Sequence, residues 1–139
     1  MTPKEYLMQV QRLNVLIDQR IKEVSDLRHH DGISGIDYSK ERVQTPSSSH
    51  ETPFVKVVEK IILLKEQING LINEYADLKN KIIGEIQALS NPVYIQILYK
   101  KYVEFKRLEV IAVEMNYSYD YIKHAHGYAL QDFGNKYLN

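Results

Sequence analysis

Residues 118–124 bring together side chains that can donate and accept hydrogen bonds at the start of a predicted helix. If the first turns of such a helix enter the major groove of DNA, their exposed positions touch base edges. Lys123 can bind guanine or phosphate, and Asp120 can accept a hydrogen bond from the amino group of cytosine. Tyr119 and His124 can make apolar or phosphate contacts, with Ser118 close to the DNA backbone. These five residues are the predicted base-contacting set.

Four cations upstream of this helix could hold the phosphates that fix its position in the groove. They are Lys100, Lys101, Lys106 and Arg107. The charge balance counts against broad electrostatic capture of nucleic acid, because the chain has 18 basic and 18 acidic residues. Nucleic-acid-binding domains usually carry a basic face. A neutral chain still allows DNA binding by one small module.

Two short helices must position these side chains, and we predict them over 107–115 and 118–133. Asn116 lies in the tight turn between them, where a left-handed backbone is usual and asparagine tolerates it better than most residues. Ser118 can cap the second helix. Small Ala112 suits the point where the helices cross, and Ile111, Met115, Ile122 and Ala125 fall at positions that such a pair buries. This is the pattern of a helix-turn-helix, although ordinary three-helix domains share the spacing.

Prolines mark the starts of the predicted helices. Thr2-Pro3, Thr52-Pro53 and Asn91-Pro92 each precede a run with helical periodicity. Proline suits the first helical position because its missing N–H would be unpaired there, and the threonine or asparagine before it can accept from the first turn. Glu5 completes a capping box with Thr2. We therefore expect helices to begin near residues 3, 53 and 92.

The helices predicted over 3–29 and 53–89 each carry an apolar stripe. In the second, apolar residues recur every seven positions in two offset series, which is the a/d pattern of a coiled coil. The predicted oligomerisation seam is Phe54, Val57, Ile61, Leu64, Ile68, Leu71, Tyr75, Leu78 and Ile82. The first helix can cover part of this stripe as an antiparallel neighbour, but a compact monomer of this size cannot bury all of it, so we expect a homo-oligomer, most simply a dimer. The alternative is a monomeric helical hairpin folded back on the C-terminal module.

The predicted fold class is all-α, with a long helical hairpin or coiled-coil segment followed by a small helix-turn-helix domain. We expect a coiled-coil and oligomerisation region over 1–90 and the helix-turn-helix domain over 91–139. Residues 31–52 contain glycines, a proline and three consecutive serines, which indicate a loop. Several apolar residues in its first half predict a packed connector.

Several other classes of function lack a supporting pattern. The chain has no cysteine, which excludes disulfides and thiolate metal sites. His29-His30-Asp31 is more typical of a solvated helix end than of a metal site, and no constellation of residues supports an enzyme or a cofactor. His124 and His126 are two positions apart, so they do not share a helix face as zinc ligands do; we expect one to face DNA or solvent and the other to pack. No apolar run is long enough to span a membrane, and a cytoplasmic location is expected.

The stretch ILYKKYVEFKRLEVIAVEMNYSYDYIKHAHGYAL, residues 97–130, resembles the C-terminal helix-turn-helix of phage-encoded regulators related to sigma-70 region 4. These include the RinA/ArpU-like late-gene regulators and a Firmicutes prophage family. The resemblance is carried by Leu98 to Tyr102, Leu108 to Ala112, Tyr117-Ser118, His126 and Ala129-Leu130. RVQTPSSSHETP followed by a long helix is also similar to that family. Asn116 departs from the usual glycine, and Lys123 is the only certain cation of the recognition helix, which is often richer in arginine in sigma-like proteins.

This resemblance implies control of phage gene transcription in a bacterial host cell. It implies binding of double-stranded DNA through residues 118–127 and contact with host RNA polymerase. Because the recognition helix is poor in cations, binding by a dimer or higher oligomer is expected. A protein-interaction adaptor is the alternative that the sequence leaves open. In that case RNA polymerase or a phage protein would be the partner, and residues 91–139 would form a helical end-domain that does not bind DNA.

Overall fold

The computed structural model describes residues 1–30 and 53–139. Within these ranges every regular element is a helix, which confirms the all-α prediction. The elements are α1 (Pro3–His30), α2 (Pro53–Gln87), α3 (Pro92–Leu98), a π-helix (Tyr99–Val103), α4 (Leu108–Met115) and α5 (Tyr119–Tyr137). The predicted connector at 31–52, including the expected cap at Thr52, lies outside the described residues.

Two of the predicted helix caps form as expected. The backbone N–H of Thr2 donates to Glu5 Oε2 at 2.9 Å, and the N–H of Glu5 donates to Thr2 Oγ1 at 3.2 Å, which is a reciprocal capping box. At the start of α3, Asn91 Oδ1 accepts from the N–H of Val93 at 2.9 Å and lies 3.4 Å from that of Tyr94. Both caps satisfy N–H groups that a helix leaves without internal partners.

The chain forms two compact units. The first contains residues 1–14 and 74–139, and the second contains residues 15–73, of which 15–30 and 53–73 are described. This grouping differs from the predicted division at residue 90, because the start of α1 and the end of α2 share a core with the C-terminal helices.

The core of the first unit joins four parts of the chain. Its buried side chains are Leu7 and Val10 of α1, Ile82, Ile86 and Leu89 around the end of α2, Leu98, Tyr102 and Val103 of α3 and the π-helix, and Ala129 and Phe133 of α5. Two side chains of α5 also donate hydrogen bonds to carbonyls near the end of α2. Tyr137 Oη lies 2.9 Å from the Glu85 oxygen, and Lys136 Nζ lies 2.6 Å from the Ala88 oxygen. The C-terminal half of α5 is therefore fixed by both packing and hydrogen bonds.

The second unit has a smaller core in which Val24 of α1 packs with Ile61, Leu64 and Ile68 of α2. Leu27 and Val57 are partly buried against it. These contacts use the a/d stripe of α2 within the chain itself.

The predicted oligomerisation seam is thus largely covered by intramolecular packing. Val57, Ile61, Leu64 and Ile68 contribute to the core of the second unit, and Tyr75, Leu78 and Ile82 to that of the first. Phe54 stays 36% exposed and Leu71 is half-buried. Among residues 15–30 and 53–73, the other exposed large apolar side chains lie outside the seam and are Val15, Ile21, Ile62, Leu63 and Ile72. The physical reason is that α1 buries its own stripe against that of α2, which heptad spacing alone does not reveal.

Gly134 marks a close approach between α5 and the start of α1. A Cβ atom at this buried position would lie 2.6 Å from Pro3 Cγ, whereas a Cβ at Gly127, on the same helix, would meet nothing within 4 Å. Glycine at 134 therefore serves packing, because helix propensity would favour alanine by about 1 kcal/mol.

We expect Gly134→Ala to lower the free energy of unfolding by roughly 1–2 kcal/mol, because overpacking against Pro3 outweighs the more favourable helix propensity of alanine. Gly127→Ala is the matched control and should be neutral or stabilising by up to about 1 kcal/mol. Chemical denaturation of both variants and of Pro3→Ala/Gly134→Ala would measure this. Equal effects of the two single glycine replacements, or no recovery in the double variant, would contradict the close approach.

Candidate nucleic-acid interface

A small core holds α3, α4 and α5 together. Its buried members are Ile97 of α3, Ile111 and Ala112 of α4, and Ile122 and Ala125 of α5. Met115 is partly buried against them. The burial predicted for the two-helix pattern, including a small residue at Ala112, is therefore confirmed.

The turn between α4 and α5 is a left-handed helix end. Asn116 has φ 59° and ψ 40°, as predicted. The N–H of Tyr117 donates to the Ala112 carbonyl at 3.0 Å, and the N–H of Asn116 donates to that of Val113 at 3.3 Å, which is the pairing of a Schellman motif. Ser118 Oγ then accepts from the N–H of Tyr121 at 3.1 Å, so the predicted cap of α5 also forms. One helix therefore ends and the next begins within three residues.

The predicted base-contacting residues lie together on the solvent side of the first two turns of α5. Ser118, Tyr119, Asp120, Lys123 and His124 are all exposed. Asp120, Lys123 and His124 share one face, because residues three and four apart are neighbours on a helix. His124 Nδ1 lies 2.7 Å from the carbonyl oxygen of Asp120. A proton on Nδ1 makes that contact a hydrogen bond and leaves Nε2 for an external partner.

A π-helix and a left-handed residue position the upstream cations, and the sequence predicted neither. The N–H of Glu104 donates to the Tyr99 carbonyl at 3.1 Å, and the N–H of Lys106 donates to that of Lys100 at 3.0 Å. Between them Phe105 has φ 60°, a conformation that bulky residues rarely adopt. Its partly buried ring packs against the core of the first unit, which offsets the backbone strain. This turn brings the end of the π-helix back towards α4.

Two of the four predicted phosphate contacts are paired to the same carboxylate on α4. Lys100 Nζ donates to Glu114 Oε1 at 2.9 Å, and Lys106 Nζ donates to both oxygens of Glu114 at 2.8 and 2.9 Å. The hydrogen bonds from Lys106 and then Lys100 lower the pKa of Glu114, and the bond to Glu114 raises the pKa of Lys106. Sequence spacing provided no signal for this cluster, because Glu114 is 8 and 14 residues from its partners.

The other two cations are differently placed. Arg107 is exposed, with its Nε 4.0 Å from Glu109 Oε2. Lys101 is half-buried, and its charge acts on the nearby His126 ring. Arg107 is therefore the most accessible of the four predicted phosphate contacts.

The outer face of α4 carries an apolar pair that sequence reasoning missed. Val113 is 78% exposed and Val110, one turn earlier, is 40% exposed. Beyond the helix end, the exposed rings of Tyr117 and Tyr121 pack with their centroids 4.5 Å apart. The three-residue spacing of the valines is visible in the sequence, but it is informative only once Ile111 and Ala112 are known to point inward.

His126 and Tyr102 form a partly buried polar pair between α5 and the π-helix. Tyr102 Oη lies 2.7 Å from His126 Nε2, and the rings are stacked with centroids 5.7 Å apart. Burial, with the positive charges of Lys101 and Lys4, lowers the pKa of His126 to about 4. Burial also raises the pKa of Tyr102 to about 12. His124 is exposed while His126 packs, as we expected for this pair.

The depressed pKa of His126 predicts a loss of stability in mild acid. Above pH 6.5 the ring is neutral in both states, but between 6.5 and about 4 the unfolded chain binds a proton that the folded chain does not. We expect the free energy of unfolding to fall by about 1–2 kcal/mol over this window, less than the full linkage value because the ring is only partly buried.

Urea denaturation at several pH values would measure this, with His126→Gln as the comparison, since glutamine can bond the Tyr102 hydroxyl without titrating here. The variant should lose most of the difference between pH 7 and 5. An unchanged pH profile would show that His126 is not the responsible group.

Metal-binding clusters and membrane spans are two other features that bear on function in the part of the chain that the structure describes. Within 1–30 and 53–139, no group of three or more His, Asp or Glu side chains is arranged to hold a metal ion. None of the helices in those ranges is long and apolar enough to cross a membrane. Comparison with protein-family models, curated proteins and solved structures gives no match to this chain.

Proposed function

We propose that this chain is a sequence-specific, DNA-binding transcriptional regulator of phage genes that acts as a dimer or higher oligomer. The observation that carries the proposal is the geometry of the α4–α5 pair. A Schellman turn at Asn116 and the Ser118 cap join two helices over the core of Ile111, Ala112, Ile122 and Ala125. The resemblance of residues 97–130 to sigma-70 region 4-like regulators supports the same function.

In this mechanism the first two turns of α5 enter the major groove and read base edges. Lys123 donates to guanine or phosphate, and Asp120 accepts from cytosine. With the proton on Nδ1 directed at the Asp120 carbonyl, His124 Nε2 can accept a hydrogen bond, and Tyr119 contributes an apolar surface. Arg107, Lys101 and, once released from Glu114, Lys100 and Lys106 contact phosphates. The chain is neutral overall, so two modules on one oligomer supply affinity, with half-sites about 34 Å apart or a multiple of that distance.

The test is selection from a random duplex library by the purified chain at low and moderate salt. We expect an enriched motif with paired half-sites. On the selected duplex, Lys123→Ala/His124→Ala should weaken binding by about 1–3 kcal/mol per lost base contact and relax the base preference. Lys81→Ala, which removes the same charge from an exposed site on α2, is the matched control and should bind as the parent does.

Two results would count against the proposal. Binding without enrichment that vanishes as salt rises would show phosphate contact alone. Full retention of the motif by the double variant would show that the assigned face of α5 is not the reading face.

A protein-interaction adaptor is a second proposed function, and the exposed Val110–Val113 pair on α4 favours it. Exposed apolar side chains that lie next to one another on a short helix are typical of a surface that contacts another protein. We expect Val113→Asp to abolish retention of bacterial RNA polymerase by the immobilised chain if this function holds. Tyr128→Asp, at an exposed aromatic residue of α5, should leave retention intact. Absence of retention by the parent chain would reject polymerase as the partner.

A further inference from the structure

We propose that Glu114 competes with DNA phosphate for Lys100 and Lys106. Its carboxylate holds both lysines until a phosphodiester replaces it. The inference rests on the proposed DNA-binding function and assigns a role in it to a residue that sequence reasoning did not single out. The site is formed by two ammonium groups on the carboxylate of Glu114, drawn from the π-helix, the following turn and α4. Lys106 Nζ also lies 3.6 Å from Glu104 Oε2, a longer contact than those to Glu114.

The chemistry of the exchange is well matched. A carboxylate and a phosphodiester each carry one negative charge shared over two oxygens, and each can accept from two ammonium groups. The three nitrogen–oxygen distances of 2.8–2.9 Å are those of charge-assisted hydrogen bonds. A phosphate at the same place could take the same donors without moving the backbone.

Accessibility makes the exchange possible. The side chains of Lys100, Lys106 and Glu114 are 25%, 30% and 33% exposed, so solvent and a polyanion reach all three. Ion pairs in such positions are individually weak because water screens them. The pairs are therefore strong enough to occupy the lysines in the free chain and weak enough to yield to the high charge density of DNA.

The expected consequence is weaker binding to any duplex. A phosphate that uses these lysines must first displace Glu114 and leave its charge unpaired, which lowers the affinity for every sequence by the same factor. Base contacts by α5 keep binding to the selected duplex appreciable despite that loss, whereas random duplex has no such contacts. If Glu114 instead serves only to join the π-helix to α4, its loss changes stability and not the dependence of binding on salt.

The experiment compares Glu114→Gln with Glu109→Gln, since both remove one charge from the exposed side of α4. Glu109 is the matched control because its nearest cation, Arg107, lies 4.0 Å away. Dissociation constants for a random duplex and the selected duplex would be measured across a salt series, with thermal unfolding of each variant. We expect Glu114→Gln to tighten binding to random duplex about three- to fivefold beyond the control. Its salt dependence should steepen by up to about 2, roughly 0.9 for each phosphate that a released lysine neutralises.

A second variant separates release of the lysines from a general charge effect. In the Glu114→Gln background, Lys106→Gln should remove about half of the additional salt dependence. Equal binding by Glu114→Gln and Glu109→Gln, with the parent chain still binding DNA, would overturn this inference and leave the proposed function standing. Absence of DNA binding by the parent and by both variants would overturn the two together. Binding by Glu114→Gln without binding by the parent would show that Glu114 blocks the lysines and would count against the proposed function of the parent chain.

Discussion

The structure of the first unit depends on one helix, α5, being shared between two cores. Its first half supplies Ile122 and Ala125 to the core with α3 and α4. Its second half supplies Ala129 and Phe133 to the core with the start of α1 and the end of α2. Because these four residues repeat at helical spacing, they lie along one stripe. The opposite stripe, with Asp120, Lys123 and His124, is consequently held towards solvent by packing on both halves of the same helix.

Local chemistry explains which features could be predicted from the sequence. The capping box of Thr2 and Glu5, the Asn91 and Ser118 caps, and the left-handed Asn116 all depend on residues within a few positions of one another. Such interactions are determined by backbone geometry that is the same in any protein. The all-α class and the core of the α4–α5 pair followed from helical periodicity, which is also a local property.

The unpredicted features are those that depend on long-range packing. The π-helix at Tyr99–Val103 and the left-handed Phe105 have no composition signal, because the Phe105 ring is held by a core assembled from distant segments. Heptad spacing on α2 correctly predicted a continuous apolar stripe. It could not say that α1 and the C-terminal helices would cover most of that stripe within one chain. Glu114 likewise meets Lys100 and Lys106 only after the turn at Phe105 has formed.

The placement of charges beside α4 and on α5 determines how strongly this part of the chain would attract a polyanion. Attraction to DNA normally comes from unpaired cations spread over one face, but here two lysines are already satisfied by Glu114 and the net charge is zero. If α5 reads DNA as proposed, non-specific attraction should therefore be weak, and discrimination would come from contacts made only when the duplex fits α5. Under the proposed function a second copy would supply the missing affinity, because linking two modules multiplies their binding without any new contact.

Because the seam on α2 is largely covered, the proposed oligomer would have to use apolar side chains that the second unit leaves exposed, such as Ile21 and Ile62. Specificity and assembly are thus linked by one constraint. Folding already occupies the two lysines beside α4 and most of the heptad stripe of α2. Under the proposed function, DNA would therefore have to displace Glu114 to reach those lysines, and a second copy would have to pack on apolar side chains outside the covered stripe.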